Sequence, residues 1–306
     1  MPRDVGAGGG AMSAVSERAG EPAPIEAPTS APPAPGEAGE STRAAMLDRA
    51  ARWLLPVGVV VVLVVAWHLV VVVNDIPPYI LPGPGKVFQS LVDDWPILSG
   101  ALVNTLAITL LALIVATLGA GGLALLFSQS RLVEYSLFPI AVVLQVTPIV
   151  AVFPLINIYV DNTTAKLLIC AWIVAFFPIL SNTTLGLNSA DRNLHALFDL
   201  YGANRWQTLR HLQLPAAMPY FLGGLRIAGG LALIGAVVAE FVAGTAGFGS
   251  GLAYRIIEAG YRLNTARMFA ALLLISAAGV AIYLALSLLS HLVLRKWHES
   301  AIRRER

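Results

Sequence analysis

Six long runs of apolar residues, separated by shorter polar segments, follow the first fifty residues of the chain. A helix needs about 20 residues to cross a hydrocarbon core of about 30 Å, and each run is that long. The backbone finds no water to bond inside a bilayer, so each run predicts a membrane-spanning helix despite its many Val and Ile residues. The predicted spans are 54–73, 105–127, 137–160, 165–185, 219–242 and 268–292.

The segments between and around these runs complete the predicted organisation. Residues 1–42 are rich in Pro, Gly, Ala, Ser and Glu, so we expect a disordered N-terminal tail. Residues 54–292 form a predicted transmembrane domain, followed by a basic cytoplasmic tail at 293–306. The predicted fold class is therefore all-α, a polytopic membrane helix bundle with about six transmembrane helices.

Two of the connections are long enough to carry helices of their own. In the first, residues 74–104, Pro84 suits a first helical turn, and Val87, Leu91 and Trp95 recur at fourfold spacing. This pattern predicts a short helix at the membrane interface. Prolines also occur in the third run, where Pro139, Pro148 and Pro154 predict kinks, while residues 186–218 form the second long connection.

Composition agrees with a membrane protein and excludes other classes. The chain has 306 residues, 57% of them hydrophobic and 12% charged, with a mean hydropathy of +0.74. Soluble domains carry roughly 25% charged residues. A net charge of +2, spread along the chain, does not indicate nucleic-acid binding. The single cysteine, Cys170, lies in an apolar run and is interpreted as a buried side chain.

Basic residues near the span ends predict the orientation. With six spans both termini lie on one side, and the side with more Lys and Arg is cytoplasmic. Twelve basic residues lie on the side of the termini: Arg43, Arg49, Arg52, Arg131, Arg192, Arg205, Arg210, Arg295, Lys296, Arg303, Arg304 and Arg306. The other side has five: Lys86, Lys166, Arg255, Arg262 and Arg267. Both termini are therefore predicted in the cytoplasm.

The chain has no motif for catalysis or for nucleotide binding. Gly83-Pro-Gly-Lys86 continues with Val87 and is not a phosphate-binding loop. The histidines lack metal-ligand spacing, and no Gly-x-Ser-x-Gly sequence occurs. We therefore expect that the chain is not an enzyme and binds no cofactor or metal itself.

The cytoplasmic connection 186–218 has the pattern of a compact helical unit. Leu194, Leu197, Phe198 and Tyr201 form one helical face, and Gly202 is expected to end or bend that helix. A second short helix with Trp206, Leu209 and Leu212 is predicted to run to Leu214-Pro215, where proline closes it. The unit either lies against lipid or its own bundle, or docks into a soluble partner.

The residues after this helical face resemble a known signature. Gly202, followed by Leu212-Gln-Leu-Pro215, is similar to the loop motif of binding-protein-dependent ABC importer permeases. Tyr201-Gly-Ala-Asn-Arg-Trp-Gln207, Leu81-Pro-Gly-Pro84 and the stretch from Gly223 to Phe241 resemble the nitrate, sulfonate and taurine branch. The resemblance covers roughly residues 55–300.

The resemblance implies a function and partners. In that family the loop is a coupling helix seated on a separate ATPase subunit, which uses the ATP. The residues that this implies for ATPase coupling are Leu197, Phe198, Tyr201, Gly202, Ala203, Trp206, Gln207, Leu214 and Pro215. An extracytoplasmic solute-binding protein, a homodimer and the bacterial inner membrane are implied as well. The chain departs from the family where Ala196-Leu197-Phe198 replaces a Glu-Ala-Ala triplet, and Asp199 points elsewhere on the helix.

Polar residues inside the spans are candidates for lining the passage. These are Gln145, Thr147 and Asn157 near the prolines of the third span, and Glu240 in the fifth. The alternative for the first three is that they bond backbone groups freed by the prolines. The small residues Gly224, Ala228, Ala232 and Ala236 are interpreted as helix packing, and Arg226 as snorkelling to the cytoplasmic headgroups.

Two other functional classes remain open on the residues alone. A secondary transporter or channel driven by an ion gradient usually shows paired ionisable groups or broken helices in corresponding halves. A membrane scaffold without transport activity could use the loop to recruit a partner. The substrate is not identified by the sequence, although the branch resemblance indicates a small polar solute.

Overall fold

The computed structural model describes residues 37–244 and 249–295, with side chains from Leu54 onward. Within these ranges every regular element is helical. The helices are α1 (Glu37–Val73), α2 (Pro84–Asp93), α3 (Trp95–Gln129), α4 (Arg131–Val146), α5 (Ile149–Tyr159), α6 (Thr163–Leu187), α7 (Arg192–Leu200), α8 (Arg205–Thr208), α9 (Leu214–Ala243), α10 (Leu252–Tyr261) and α11 (Thr265–Leu294). A π-helical turn, Leu209–Gln213, joins α8 to α9.

Five helical segments of the described chain are long and apolar enough to cross a membrane, and α4 with α5 forms a sixth, bent candidate. The five are Leu54–Val73, Trp95–Gln129, Thr163–Leu187, Arg205–Ala243 and Thr265–Leu294. The six predicted runs correspond to these segments and the bent pair. The all-α membrane bundle is thus confirmed.

The third predicted span is not one continuous helix. Its two halves, α4 and α5, meet at an angle of 103°. Pro148 lies at the break, and the preceding Thr147 has an extended ψ of 122° because a proline disfavours the helical conformation of the residue before it. The kink predicted at Pro148 is confirmed as a full break, whereas Pro139 and Pro154 lie inside α4 and α5.

The chain divides into two units, residues 1–61 and residues 62–306. The core of the second unit lies where α9 packs along α6 and α3. Its buried side chains are mostly small, including Ala116, Ala120, Ala175, Ala228 and Ala232. Small side chains let helix axes approach closely, which stabilises helix pairs in a bilayer.

Glycines provide the closest contacts between α6 and α9. A Cβ on Gly224 would lie 2.8 Å from the Pro178 carbonyl oxygen, and one on Gly235 would lie 2.9 Å from the Ala171 Cα. Ala228, Ala232 and Ala236 are fully buried on the same helix. The structure therefore confirms that the small residues of the fifth span serve helix packing.

The remaining segments differ in part from the sequence prediction. The short helix after the first span is confirmed as α2, with Pro84 in its first turn and Val87 buried, but Trp95 begins α3 instead. Helix α1 begins at Glu37, inside the range predicted as tail. Residues 1–36 of that tail and 296–306 of the basic C-terminal tail lie outside the described residues.

Candidate functional site

Helix α7 is defined at both ends by neighbouring residues. The Asp191 side chain accepts a hydrogen bond from the Asn193 backbone N–H at 2.8 Å, as an N-cap does. At the other end Ala203 N–H donates to Phe198 O at 2.9 Å and Gly202 N–H donates to Asp199 O at 3.0 Å. These two bonds are the Schellman motif.

The Schellman motif explains the glycine in the loop. Gly202 has φ +68°, the left-handed conformation that costs a side chain most, and no other atom lies within 4 Å of the position of a Cβ. Glycine is therefore required at this position for its backbone conformation, because a side chain would meet no steric clash with other residues. The prediction that Gly202 ends the first helix is confirmed.

Helix α8 is held by a capping box. Gln207 N–H donates to Asn204 Oδ1, and Asn204 N–H donates to Gln207 Oε1, both at 2.8 Å. The side chain of Gln207, predicted to contact the ATPase, thus bonds inside the loop while the residue stays exposed. The Asn204-x-x-Gln207 spacing is the sequence signal of this capping box, although it does not reveal a functional role.

Pro215 does not close a helix, contrary to the sequence prediction. The chain continues from α8 through the π-helical turn into α9, and Pro215 lies in the first turn of α9. Proline lacks an N–H, and its ring clashes with the carbonyl four residues earlier. A turn closed by the bond from Leu214 N–H to Leu209 O, five residues back, accommodates it. The second part of the loop, from Arg205, and span five therefore form one nearly continuous helix.

The outer surface of the loop is apolar and uncovered. No side chain of α7 is buried, and Leu200, Tyr201 and Trp206 are 82%, 82% and 65% exposed. Leu197 is also exposed, and Phe198 and Ala203 are half-buried. We call the side chains of Leu197, Phe198, Leu200, Tyr201 and Trp206 the docking surface. An exposed apolar patch of this kind is typical of a contact site for another macromolecule.

The inner side of the loop is fixed to the bundle. Leu209 and Leu212 are buried, and Leu209 belongs to the core formed with α3, α6 and α9. Leu214 and Pro215 are half-buried at the start of α9. A polar cavity of about 320 Å³ separates the loop from the end of α3 and is lined by His195 and Asp199, among others. Asp199 thus faces this cavity and does not replace the acidic residue of the family on the docking surface.

Glu240 lies near the opposite end of span five, where it is 3% exposed. Its carboxylate accepts hydrogen bonds from the Thr105 hydroxyl at 2.8 Å and from the Ala253 backbone N–H at 3.2 Å. Within the described chain the carboxylate faces these partners and not an open cavity. Its role as a pathway residue stays a prediction. Thr105, separated from Glu240 by 135 residues, carried no sequence signal.

The three polar residues of the third span lie on both sides of the break between α4 and α5 and at the break itself. Gln145 is exposed at the end of α4, and the Thr147 hydroxyl donates to Val143 O at 2.6 Å beside the break. Asn157 is exposed in α5, and its Oδ1 accepts a hydrogen bond from Lys166 Nζ at 2.7 Å. Thr147 therefore bonds a backbone carbonyl near Pro148. Gln145 is exposed beside the bend, and its predicted role in lining the passage stays a prediction.

Arg226 contacts a neighbouring span. It lies 12 residues after Leu214, the first residue of α9. Its guanidinium carbon lies 5.8 Å from the centre of the Tyr283 ring on α11, within the range of a cation–π contact. The interpretation that this side chain snorkels to the headgroups stays a prediction.

The described residues hold no group of three or more His, Cys, Asp or Glu side chains that could bind a metal ion. Cys170 is a buried free thiol, as its position in an apolar run indicated.

Comparison with known proteins identifies the class. Residues 109–303 match the family described as binding-protein-dependent transport system inner membrane component. A solved amino acid ABC transporter chain has the same fold, with a TM-score of 0.55 at 19% identity, covering 68% of this chain and 98% of the other. The fold is thus that of an ABC transporter permease.

Curated relatives agree with the family. A probable ABC transporter permease protein of Haemophilus influenzae is 33% identical over 78% of this chain and 96% of its own length. The riboflavin transport system permease protein of Chloroflexus aurantiacus is 35% identical over 80% of this chain and 90% of its own length. Permease proteins for aliphatic sulfonates, taurine and nitrate are also similar.

The chain belongs to the family of binding-protein-dependent transport system inner membrane components. It is a permease subunit of an ABC importer, a transport protein and not an enzyme.

Proposed function

We propose that the chain works as a homodimer in the bacterial cytoplasmic membrane, where it forms the passage for a small polar solute. An ATPase subunit, which binds and hydrolyses the ATP, docks on the cytoplasmic loop. A solute-binding protein delivers the solute from the other side. The family supports an ATPase and a binding protein as partners, and the names of the relatives support a small solute such as a sulfonate, taurine or nitrate.

The docking surface carries the proposal. Its side chains are apolar and, apart from the half-buried Phe198, exposed, yet the backbone beneath is held by the Asp191 cap, the Schellman motif at Gly202 and the capping box at Asn204. A surface that is rigid before it binds loses little conformational entropy when a partner covers it. The absence of an acidic residue at Ala196 makes this interface more apolar than in other members of the family.

The connection to span five supports a mechanical role. The π-helical turn continues the loop directly into α9, and Leu209 and Leu212 anchor that turn in the core. Tightly packed elements move as rigid bodies when a partner displaces them. A movement of the ATPase is therefore passed to α9 and, through the close contacts at Gly224 and Gly235, to α6.

The orientation follows from the charge distribution. With α4 and α5 crossing the membrane as one bent span, both termini and the docking surface lie in the cytoplasm, which agrees with the twelve to five bias of basic residues. Gln145, Thr147, Asn157 and Glu240 remain the candidates for lining the passage. Exposed apolar side chains such as Leu118 and Leu284 are typical of lipid contact.

The experiment introduces a charge into the docking surface. Phe198→Asp and Leu197→Asp are expected to lower recovery of the ATPase subunit with the permease, and ATP-driven uptake, by about tenfold or more. Burying an unpaired carboxylate in an apolar contact costs more than the about 1.4 kcal/mol that a tenfold loss of affinity represents. Co-purification and uptake by proteoliposomes at matched permease abundance measure the effect.

Leu263→Asp is the matched control, because Leu263 is an exposed leucine on the opposite side of the membrane. It should leave recovery of the ATPase at the wild-type level. Wild-type recovery and uptake by both loop variants would exclude the docking surface as the ATPase contact. Solute flux that does not depend on ATP would instead indicate a secondary transporter.

A further inference from the structure

Helix α10 follows span five on the proposed extracytoplasmic side and packs against α3, α9 and α11. The first N–H groups of any helix have no acceptor within that helix. The N-cap of α10 is Gly251, which has no side chain to supply one. The two N–H groups at the start of α10 find acceptors on other helices instead.

The acceptors belong to α3 and α9. Leu252 N–H donates to Thr105 Oγ1 at 2.9 Å, and Ala253 N–H donates to Glu240 Oε2 at 3.2 Å. The Thr105 hydroxyl in turn donates to Glu240 Oε1 at 2.8 Å. Thr105 is fully buried and Glu240 nearly so, so this network joins three helices without contact with solvent.

Gly251 is adapted to this network. A Cβ at Gly251 would overlap the Glu240 carboxylate, so only glycine lets the start of α10 come so close. Its φ of −90° is an ordinary value, and the glycine is therefore required for space. The absence of a side chain at Gly251 thus lets the Glu240 carboxylate lie at the start of α10.

A buried carboxylate is a costly way to cap a helix. In the same chain α6, α7, α8 and α11 are capped by Asn162, Asp191, Asn204 and Asn264, each bonding its own first turn. Such a local cap leaves the helix free to move as a unit. The cap of α10 instead fixes its position to two spans, because the acceptors move with α3 and α9.

The outward side of α10 is charged and accessible. Glu258 pairs with Arg255 at 2.7 Å and with Arg262 at 2.9 Å, and Arg262 is largely exposed. Tyr261 at the end of the helix is also exposed. The helix thus presents one side to the space outside the membrane and is bonded to α3 and α9 at its start.

We propose that Glu240 and Thr105 are positioning residues that latch α10 to α3 and α9, so that contact of the solute-binding protein with α10 is passed to these spans. This inference rests on the proposed function, because it assigns α10 to the side of the binding protein. The latch itself is a property of the folded chain.

The latch is tested by hydrogen–deuterium exchange on the full complex of permease and ATPase in nanodiscs. Thr105→Val removes the hydroxyl and keeps the shape of the side chain, whereas Thr105→Ser keeps the hydroxyl. Thr109→Val is the matched control, because Thr109 is equally buried but its hydroxyl bonds only Thr105 O within α3.

The start of α10, at Leu252 and Ala253, is expected to exchange about tenfold faster in Thr105→Val, the factor that corresponds to loss of one net hydrogen bond. Thr105→Ser and Thr109→Val should exchange like the wild type. Equal protection of these amides in Thr105→Val and Thr109→Val would overturn the latch, whatever the function of the chain.

Transmission is tested on the same samples by the ratio of binding-protein-stimulated to basal ATP hydrolysis. Thr105→Val is expected to lower this ratio about tenfold, and Thr105→Ser should restore it. A purely structural role would lower both rates together and leave the ratio unchanged, which would overturn the transmission. If the binding protein does not stimulate ATP hydrolysis by the wild-type complex, the proposed function is contradicted. The hydrogen-exchange result would still decide whether the latch exists.

Discussion

At the end that we propose is cytoplasmic, span five continues from a loop whose helices are capped by neighbours in sequence and whose apolar side chains are mostly exposed. Beyond its other end lies α10, whose first turn is capped by Thr105 from α3 and by Glu240, both buried. The loop is thus a locally folded unit that presents a surface. Helix α10 instead depends on contacts between distant segments, and its stability should respond differently to substitution.

The largest expected difference is between the two acidic caps. Glu240→Ala leaves the Thr105 hydroxyl and the Ala253 N–H buried without their acceptor, at about 1–3 kcal/mol for each group. Asp191→Ala removes an exposed cap of α7 and should cost about 1 kcal/mol. Thermal unfolding of both variants in the same detergent compares the stability lost in Glu240→Ala with that lost in Asp191→Ala. Equal losses would mean that the network around Glu240 is no stronger than an exposed cap.

The glycines at the two ends give the next largest difference. Gly251→Ala forces a Cβ against the Glu240 carboxylate, and overpacking of this kind costs about 1–3 kcal/mol. Gly202→Ala meets no atom but must keep φ +68°, for about 1 kcal/mol. Gly100→Ala, in open space within α3, is the control for the substitution itself. The loss of thermal stability and of folded abundance should be largest for Gly251→Ala, smaller for Gly202→Ala and smallest for Gly100→Ala.

The smallest expected effect is an acid sensitivity limited to α10 and the starts of α3 and α11. Asp94, before α3, accepts a hydrogen bond from Arg267 at 2.5 Å, and this bond lowers the pKa of the carboxyl below its ordinary value of 3.8. The bond to Arg255 likewise lowers the pKa of Glu258. A lowered pKa contributes stability above the ordinary value and loses it as the pH falls through the folded-state value.

Acidification from pH 6 to pH 3 should therefore increase hydrogen exchange in α10 and at the start of α11 before it does so in α7. Among the described residues the cytoplasmic loop has no ion pair that could respond in this way. Asp94→Asn should remove part of the pH dependence. Equal acid sensitivity of both ends would contradict the assignment to these carboxylates.

Features of the cytoplasmic loop could be predicted because their causes are close in sequence. The helical face from Leu197 to Tyr201 and the end at Gly202 follow from spacing and from the conformation that only glycine adopts easily. The exception is Pro215, which was expected to close a helix. Proline is tolerated in the first turn of α9 because the preceding turn is π-helical, with a hydrogen bond from an N–H group to the carbonyl five residues earlier. The sequence pattern does not reveal this adjustment.

Features of the spans could be predicted only in part. The prolines of the run 137–160 predict kinks, but the sequence alone does not show that the helix breaks at Pro148 and that its two halves meet at 103°. Glu240 was identified as unusual because a carboxylate inside a span is costly. Its partner Thr105 could not be found, because a threonine in an apolar run commonly bonds its own helix, as Thr109 does.

The sequence by itself determined the number and length of the apolar segments, the bias of basic residues that predicts the orientation, and the helical pattern of the loop 186–218, since hydropathy, charge and capping act within short stretches of chain. Only the tertiary structure decided where Glu240 and Arg226 lie, how α4 and α5 bend, and that α10 is tied to two spans. These contacts join residues separated by up to 147 positions, such as Thr105 and Leu252, and depend on which helices pack together.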